Sequence, residues 1–356
     1  MVANRGQPAD FALGVCGQRV SLLGEIGGQS PIGGGCPHST YPPRMAGPPD
    51  VTVSIVSSGD VALLRACLDS IPAAAEGCRV ETMVVDNAVG IADGVAESHP
   101  GVTVIAGGIR RGFGANHNLV CARAKGRLVF ILNDDTVLDP GCIERLRSFM
   151  DRNGAVAAAG PRLRHADGRQ QPSAFHFPTP ARVALTTLTL QRAGWVMSGG
   201  ERIRRVDWIH GAAMMVRRDA VEGVGGLDEG FYMYLEDVDL CRRLRDRGWE
   251  VAFFPKAGLV HHENSSTAAV PMRRVYQHAR SRGIYARKHH GPVGERAVQR
   301  LTAAAFLARA ALTRVLPGYD RADAARFRAH AQAALDPYAE PAIEEAAEEH
   351  NRGAVA

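Results

Sequence analysis

The sequence predicts an α/β protein built on a mostly parallel central sheet, and three observations carry that expectation. From Asp50 onward, short apolar runs alternate with stretches of helical period, the mark of βαβ units. Acidic residues recur where those apolar runs end. At 356 residues the chain can hold one large α/β domain with extensions, or two domains of about 150 residues each.

Taken in order, residues 1–49 carry Gly33-Gly34-Gly35 and the prolines Pro42, Pro43, Pro48 and Pro49 with no period of 2 or 3.6, and read as a disordered leader. A start at Met45, six residues before the first strand, is the alternative. Val51 to Val56 is a buried strand. Asp60 then caps a helix with apolar positions Val61, Leu64, Leu68 and Ile71, and Pro72 is expected to stop it. Strands follow at Val80 to Val85, which ends at Asp86-Asn87, and at Val102 to Ile105, with a helix over Ala115 to Ala124. The run Leu128 to Leu132 is a strand delivering Asn133-Asp134-Asp135, after which Asp139 and Pro140 suit a helix start. Beyond Gly160 the pattern loosens into Pro-containing segments that predict long loops and an exposed pocket wall. Strands resume at Val206 to Ile209, Ala212 to Val216 and Val251 to Phe254, with a helix from Leu235 to Arg247 between them and a turn at Pro255. Ala-rich helical sequence and an acidic tail close the chain.

Composition excludes several classes of function. With 46% hydrophobic and 22% charged residues the chain is neither disordered overall nor fibrous. A net charge of +5 is too slight to mark a nucleic-acid binder. The seven cysteines are scattered without a C-x-x-C pair, which points to a reducing, cytoplasmic setting rather than a disulfide or zinc framework. No stretch reaches the ~18 apolar residues of a membrane span. The phosphate loops G-x-G-x-x-G and G-x-x-x-x-G-K-[ST] and the elbow G-x-S-x-G are absent in their structural contexts.

The remaining chemistry sits at strand ends, where open α/β sheets bind ligands. Asp86 and Asp135 both fall there, although an Asp after a strand commonly just fixes a turn. The triplet Asn133-Asp134-Asp135 is more pointed: short oxygen-bearing side chains after an apolar strand form a seat for a hard divalent cation, Mg²⁺ or Mn²⁺, facing a diphosphate. In Phe231-Tyr232-Met233-Tyr234-Leu235-Glu236-Asp237-Val238-Asp239 the acids could merely favour a helix N-terminus. The aromatic residues before them suit a pocket in which a hydroxyl is held and deprotonated. His261-His262 is the third element, a ligand for metal or phosphate if the fold brings it beside Asp135.

These residues resemble the family-2 inverting glycosyltransferases of GT-A fold, in the rhamnosyltransferase-like branch, from Val51 to Gly291. The resemblance rests on Val53-Ser54-Ile55-Val56, Val84-Val85-Asp86-Asn87, Gly112-Phe113-Gly114 with Asn118, Leu132-Asn133-Asp134-Asp135-Thr136, Trp208 with Gly211-Ala212, Gly225 to Glu229 leading into Tyr234 to Leu240, and His261-His262 with Ser266-Thr267. It implies a GT-A catalytic domain over 50–291 and a helical extension over 292–356. By the same resemblance Asp86 and Asn87 contact the nucleoside, and Gly112, Phe113 and Asn118 form the loop under the diphosphate, with Asn133 and Asp134 beside it. Asp135 and His261 hold the metal, Asp237 is the general base and Glu236 orients the acceptor. The partners implied are a nucleotide-diphospho-sugar, with L-rhamnose on dTDP the best match, and a glycan or lipid-linked acceptor; the alternative is a scaffold that binds sugar nucleotide without turnover.

Two C-terminal features stay open between readings. The stretch Arg273-Arg274, Arg280, Arg282, Arg287, Lys288 reads as a solvated helix face or as a surface for acidic substrate. The helix from Glu295 to Val315 could lie on an anionic membrane surface as a peripheral anchor or pack on the catalytic domain.

Overall fold

The protein is described here from a computed structural model covering residues 47–57, 59–87, 90–188, 195–262, 271–313 and 321–355. Residues 1–46 of the expected leader, with Met45, and Ser266 and Thr267 lie outside the described residues. In chain order the elements are β1 (Val51–Ser57), α1 (Val61–Ala74), β2 (Val80–Asp86), α2 (Ala92–Ser98), β3 (Val102–Ala106), α3 (Phe113–Cys121), β4 (Leu128–Asn133), β5 (Thr136–Leu138) and α4 (Cys142–Arg152). Next come β6 (Val156–Arg164), β7 (Gln170–Gln171), β8 (Ala174–Phe175), α5 (Pro180–Leu188), β9 (Arg204–Val206), β10 (Trp208–Ile209) and β11 (Ala213–Arg217). The chain continues through α6 (Arg218–Gly223), α7 (Glu236–Asp246), β12 (Glu250–His261), α8 (Pro271–Leu312), α9 (Arg321–Leu335) and α10 (Ile343–Val355).

The main sheet runs β3-β2-β1-β4-β11-β6-β12-β5, with β7 and β9 pairing off this path. Its β3-β2-β1-β4 half is parallel, whereas β11 is antiparallel to both neighbours and β5 is antiparallel to β12. Side-chain alternation explains how one sheet carries two layers of helices. Leu128, Phe130 and Leu132 of β4 pack with the α1 and α4 residues Leu64, Leu68, Ile143 and Phe149. Val129 and Ile131, pointing the other way, join Val221 of α6 and Val238, Leu240 and Leu244 of α7.

Register then fixes where the site lies. Val56 of β1 is level with Val85 of β2 and Asn133 of β4, so the Asp86-Asn87 and Asn133-Asp134-Asp135 segments leave the sheet along one edge. On the far side, His261 of β12 pairs with Thr136 of β5. The backbone N–H of His262 donates to Asp135 O at 2.8 Å. Asp135 and His261, more than a hundred residues apart in sequence, are thus brought together by strand pairing.

Several local expectations give way to tertiary structure. Pro72 does not end α1, which runs to Ala74. So near the C-terminus the ring removes only one N–H, and the Ala75 N–H closes the helix on Ile71 O and Pro72 O. Val61 is 39% exposed, and Cys67 joins Leu64, Leu68 and Ile71 on the buried face. Asp139 and Pro140 do not open α4, whose cap is Gly141 at φ 71°; the Asp139 carboxylate instead takes two bonds from Arg164 at 2.6 and 2.9 Å. Pro255 makes no turn, because β12 runs on through it with a register shift between Phe254 and Gly258. The expected strand Val206 to Ile209 divides into β9 and β10, which join different sheets. The loosely patterned region past Gly160 is the second half of β6 followed by β7, β8 and α5, with Ser173, Ala174 and Phe175 buried.

The C-terminal helices are part of the packed body. The basic stretch forms the first half of α8 and is not a solvated face: Tyr276, Arg280, Ser281 and Tyr285 are buried. Arg280 is held by Glu345 and by the carbonyls of Pro337 and Glu340. Gly291, at φ 68° and ψ −179°, breaks α8, and Val298 beyond the break packs with Val183 of α5 and Ala286. Phe306 and Ala310 meet Phe327 and Ala331 of α9, so this helix packs on protein. Among the described residues no helix is long and apolar enough to cross a membrane.

Asp60 does cap α1, its Oδ1 accepting from the N–H groups of Ala62 and Leu63 at 3.1 Å. Asp60→Ala should lower the unfolding free energy by about 1 kcal/mol. Chemical denaturation will show this as a lower midpoint with unchanged slope.

Candidate active site

At the strand-end edge lies a cavity of about 490 Å³. Asn87, Phe113, Asn133, Asp134, Asp135, Glu236, Asp237 and His261 of the expected site line it, together with Arg110, Arg111, Asn116 and His210.

His261 and Asp135 form its first chemical unit, with Nε2 3.2 Å from Oδ1 and both side chains buried. Gln171 Oε1 lies 3.0 Å from His261 Nδ1, so Nδ1 is assigned as the donor. In the neutral ring the Nε2 lone pair then faces the Asp135 carboxylate, with the Asn133 amide Nδ2 3.4 Å away. Two Lewis bases aimed at each other, one nitrogen and one oxygen, suit a divalent cation between them. Among the described residues no group of three or more His, Cys, Asp or Glu could hold a metal ion by itself. An ion here would therefore complete its coordination with water or substrate oxygens, as Mg²⁺ and Mn²⁺ do readily.

The second unit is the acid pair at the start of α7. Asp237 Oδ2 accepts from the Gly211 N–H at 2.8 Å, and Oδ1 from the Val238 N–H at 2.8 Å. Gly211 leaves room for this approach: a Cβ there would stand 3.3 Å from Asp237 Oδ2, so the carboxylate would have to shift by a few tenths of an ångström. Burial pushes the Asp237 carboxyl up, while His210 and these backbone donors pull it back toward the charged form. Glu236 is different. Burial, reinforced by the negative Asp237, pushes it well above its ordinary value, and its buried Oε2 has no hydrogen-bond partner among the described residues. Of the pair, Glu236 is thus the one pushed more strongly toward the protonated form, and Asp237 is the one equipped to be the carboxylate. Asp239 lies on another side of the helix and is structural. Burial raises it, but His289, Lys288 and Arg243 outweigh that and leave it at about 2.

The turn that presents this pair is strained. Tyr234 and Leu235 have φ of 70° and 64°, a left-handed conformation that costs non-glycine residues about 1–3 kcal/mol each. It is braced from three sides: Phe113 N donates to Tyr232 O at 2.8 Å, Ser281 Oγ donates to Met233 O at 2.7 Å, and Tyr234 stacks on His278 at 4.7 Å.

The other expected residues support the cavity from behind. Asp86 does not line it; its carboxylate accepts from the N–H groups of Gly90 and Ile91 at 3.2 and 3.0 Å, the turn-fixing arrangement. Asn87 clamps Arg111 by exchanging hydrogen bonds with its backbone N–H and C=O. Gly112 is also outside the lining, where a Cβ would collide with Tyr232 O. Asn118 points away from the cavity and ties α3 to Leu227 and Glu229. Two residues earlier, Asn116 takes the inward position, bonded to Arg111 O at 3.1 Å.

A family profile described as "Glycosyltransferase like family 2" matches residues 48–285. The chain belongs to this glycosyltransferase family. It is 31% identical over 235 residues to the N-acetylglucosaminyl-diphospho-decaprenol L-rhamnosyltransferase of Mycobacterium tuberculosis, covering 59% of this chain and 76% of the relative. It is 25% identical over 229 residues to rhamnosyltransferase WbbL of Escherichia coli, covering 61% and 86%. The structure of GalNAc-T7 with UDP, GalNAc and Mn²⁺ aligns with a TM-score of 0.50 at 13% identity, covering 86% of this chain and 57% of that one. That likeness concerns the fold, which is GT-A with added C-terminal helices.

Gln171, His210 and Asn116 of the transferase were not singled out in the sequence. Gln171 lies in the region read as loop, and nothing local marks it as the partner of His261. His210 precedes the Gly211-Ala212 segment and could have been found there. Asn116 shares a helix with Asn118, and the inward phase of that helix is not evident before α3 is docked.

The upward push on the Glu236 carboxyl has a measurable consequence. Between its ordinary value of 4.5 and its raised folded value the native state binds more protons than the unfolded chain, so this residue makes stability fall as pH rises. Glu236→Gln should therefore be more stable than wild type at pH 7, with the gain disappearing below about pH 4.5. Denaturation curves at several pH values will check this, and an unchanged difference across them would mean that Glu236 ionises freely.

Proposed function

We propose that this glycosyltransferase moves a sugar, best matched by L-rhamnose on dTDP, from a nucleotide-diphospho-sugar to a hydroxyl of a glycan or lipid-linked acceptor, with inversion. The setting is cell-wall or surface polysaccharide synthesis, and the two rhamnosyltransferase relatives support the choice of sugar. The observation that carries the reading is a single cavity holding both the Asp135–His261 pair and an anchored Asp237 carboxylate. Asp135 and His261 would hold the divalent cation, which when bound supplies positive charge against the departing diphosphate. Asn87, Arg111 and Asn116 shape the donor wall, with Asp86 securing the turn behind them.

Asp237, fixed by Gly211, accepts the proton of the acceptor hydroxyl as its oxygen forms a bond to the anomeric carbon. The bond between that carbon and the diphosphate oxygen breaks on the opposite side. One in-line displacement inverts the centre, and no enzyme nucleophile is needed. Protonated Glu236 can donate a hydrogen bond to a second acceptor oxygen, which orients the sugar. The domain reading follows: catalysis within 50–291, with 292–356 as an extension that completes the cavity wall. We place the reaction on the cytoplasmic side, at the membrane surface when the acceptor is lipid-linked.

Asp237→Asn should lower kcat by about 10² to 10⁴ with donor affinity nearly unchanged. Glu236→Gln should chiefly raise the acceptor KM. Nucleoside diphosphate release gives both numbers, and near-normal turnover by Asp237→Asn would move the base to a neighbour. Because Asp237 sits above the usual 3.8, kcat/KM should rise with pH through that raised value, and this limb should be lost in the Asn variant.

Asp135→Ala should abolish transfer and weaken Mn²⁺-dependent nucleotide binding while the protein stays folded. Full transfer in excess chelator would refute the metal assignment. Mass spectrometry of products from a panel of nucleotide sugars, with the anomeric configuration read by NMR, tests the sugar and the inversion.

A further inference from the structure

One wall of the cavity is a stripe of basic side chains that the reaction above does not use. Arg274, His278 and Arg282 follow one another at four-residue intervals on α8, so they stack on one helix face, and all three line the cavity. The charged groups acting most strongly on His278 are Arg282, Arg274 and His330, all of them basic. Burial pulls the Arg282 guanidinium down to about 10. Its only hydrogen-bond contact among the described residues is His278 Nδ1 at 3.4 Å, and it has no carboxylate partner there. By contrast Arg280, on the other side of the same turn, is fully engaged by Glu345 and two carbonyls. A partly buried cation without a counterion is unfavourable unless a ligand supplies the negative charge.

The surroundings define that ligand further. Past the Gly291 break, α8 contributes Thr302, Ala305 and Phe306 to the same cavity, at the spacing of one helix face. Leu185 of α5 and Leu307 of α8, on helices that pack together, are 49% and 50% exposed. Cationic side chains beside an apolar wall are complementary to an anionic amphiphile. The Asp135–His261 unit stands at the strand ends, on different elements, and is the one suited to the nucleotide diphosphate through a cation.

We propose that Arg282 and Arg274 form a subsite for the diphosphate of a lipid-linked acceptor, with its alkyl chain leaving along the Ala305–Phe306 wall. This rests on the transferase reading above and names the acceptor class for the same cavity. Two guanidinium groups meeting a diphosphate make charge-assisted hydrogen bonds, each strong enough to matter for affinity.

The test needs no turnover. Farnesyl diphosphate is titrated calorimetrically into the full chain, with farnesol and dTDP plus Mn²⁺ as the other arms. Wild type should bind farnesyl diphosphate, and farnesol much more weakly. Arg282→Met should weaken farnesyl diphosphate about tenfold or more while dTDP affinity stays the same, and Arg282→Lys should recover part of the loss. Arg274→Gln, which leaves Arg282 in place, reports on the subsite independently and should show the same selective weakening.

Because Arg282 has no carboxylate partner to lose, Arg282→Met should melt no lower than wild type. A marked drop would make the residue a structural charge and overturn the proposal. So would a loss confined to dTDP, which would assign the cations to the donor, or unchanged farnesyl diphosphate affinity in both variants. A wild-type protein that binds farnesyl diphosphate selectively but transfers no sugar would sink the transferase reading and leave the subsite standing.

Discussion

The backbone pairing that ends β12 against β5 is the constraint on which the site depends. His261 opposite Thr136, and the His262 N–H on Asp135 O, hold the imidazole against the carboxylate with no freedom to slide. A slip of one residue would turn His261 to the other face of the sheet and remove it from the cavity. The pairing of β12 with β6, and of β6 with β7, places Gln171 where it can fix the ring's protonated nitrogen. Strand pairing costs the protein little here, because β12 is long and buried. It yields an electron-pair donor set that short loops could not hold within a few tenths of an ångström.

The acid pair shows a different economy. Glu236 carries a buried, unpartnered oxygen and Tyr234-Leu235 a strained backbone, and both reduce stability. They persist because the Phe231–Leu235 segment is wedged between α3 and α8, with Phe231 and Leu235 in the core. The result is a pair of adjacent carboxyls in unlike environments. The backbone amides of Gly211 and Val238 reach Asp237 alone, and this asymmetry divides the proton between the two acids.

The helices α8 to α10 tie the molecule across its full length. Asn351 of α10 exchanges hydrogen bonds with the backbone N–H and C=O of Arg110, 241 residues away, on the loop that carries Arg111. Arg111 is in turn clamped by Asn87. The C-terminal segment therefore braces the Arg110–Arg111 loop as well as lining part of the cavity. Its acids are used in packing, since Glu345 neutralises the buried Arg280 and the Glu344 N–H meets Gln277.

Much of this protein was legible in the sequence. Apolar runs that alternate with helical periods encode βαβ units locally, so β1 to β4 and α7 fall within a residue or two of expectation. Asp135, Asp237 and His261 were marked in the sequence by the order and spacing of the family motifs, and the fold brings all three to the wall of one cavity. Side-chain direction was not legible. Whether Asp86 and Asn118 face a ligand or brace a loop depends on the packed distance to Gly90, Ile91 and Leu227, which no local pattern records. The strands β5 and β7 were missed for the same reason: two or three residues long, they are strands only because β12 and β6 offer them backbone partners. Likewise Arg280 and Arg282, two residues apart in one basic run, are a neutralised core cation and an unmatched cavity cation. Composition determined that the charges exist, and only tertiary packing decided which of them met a carboxylate.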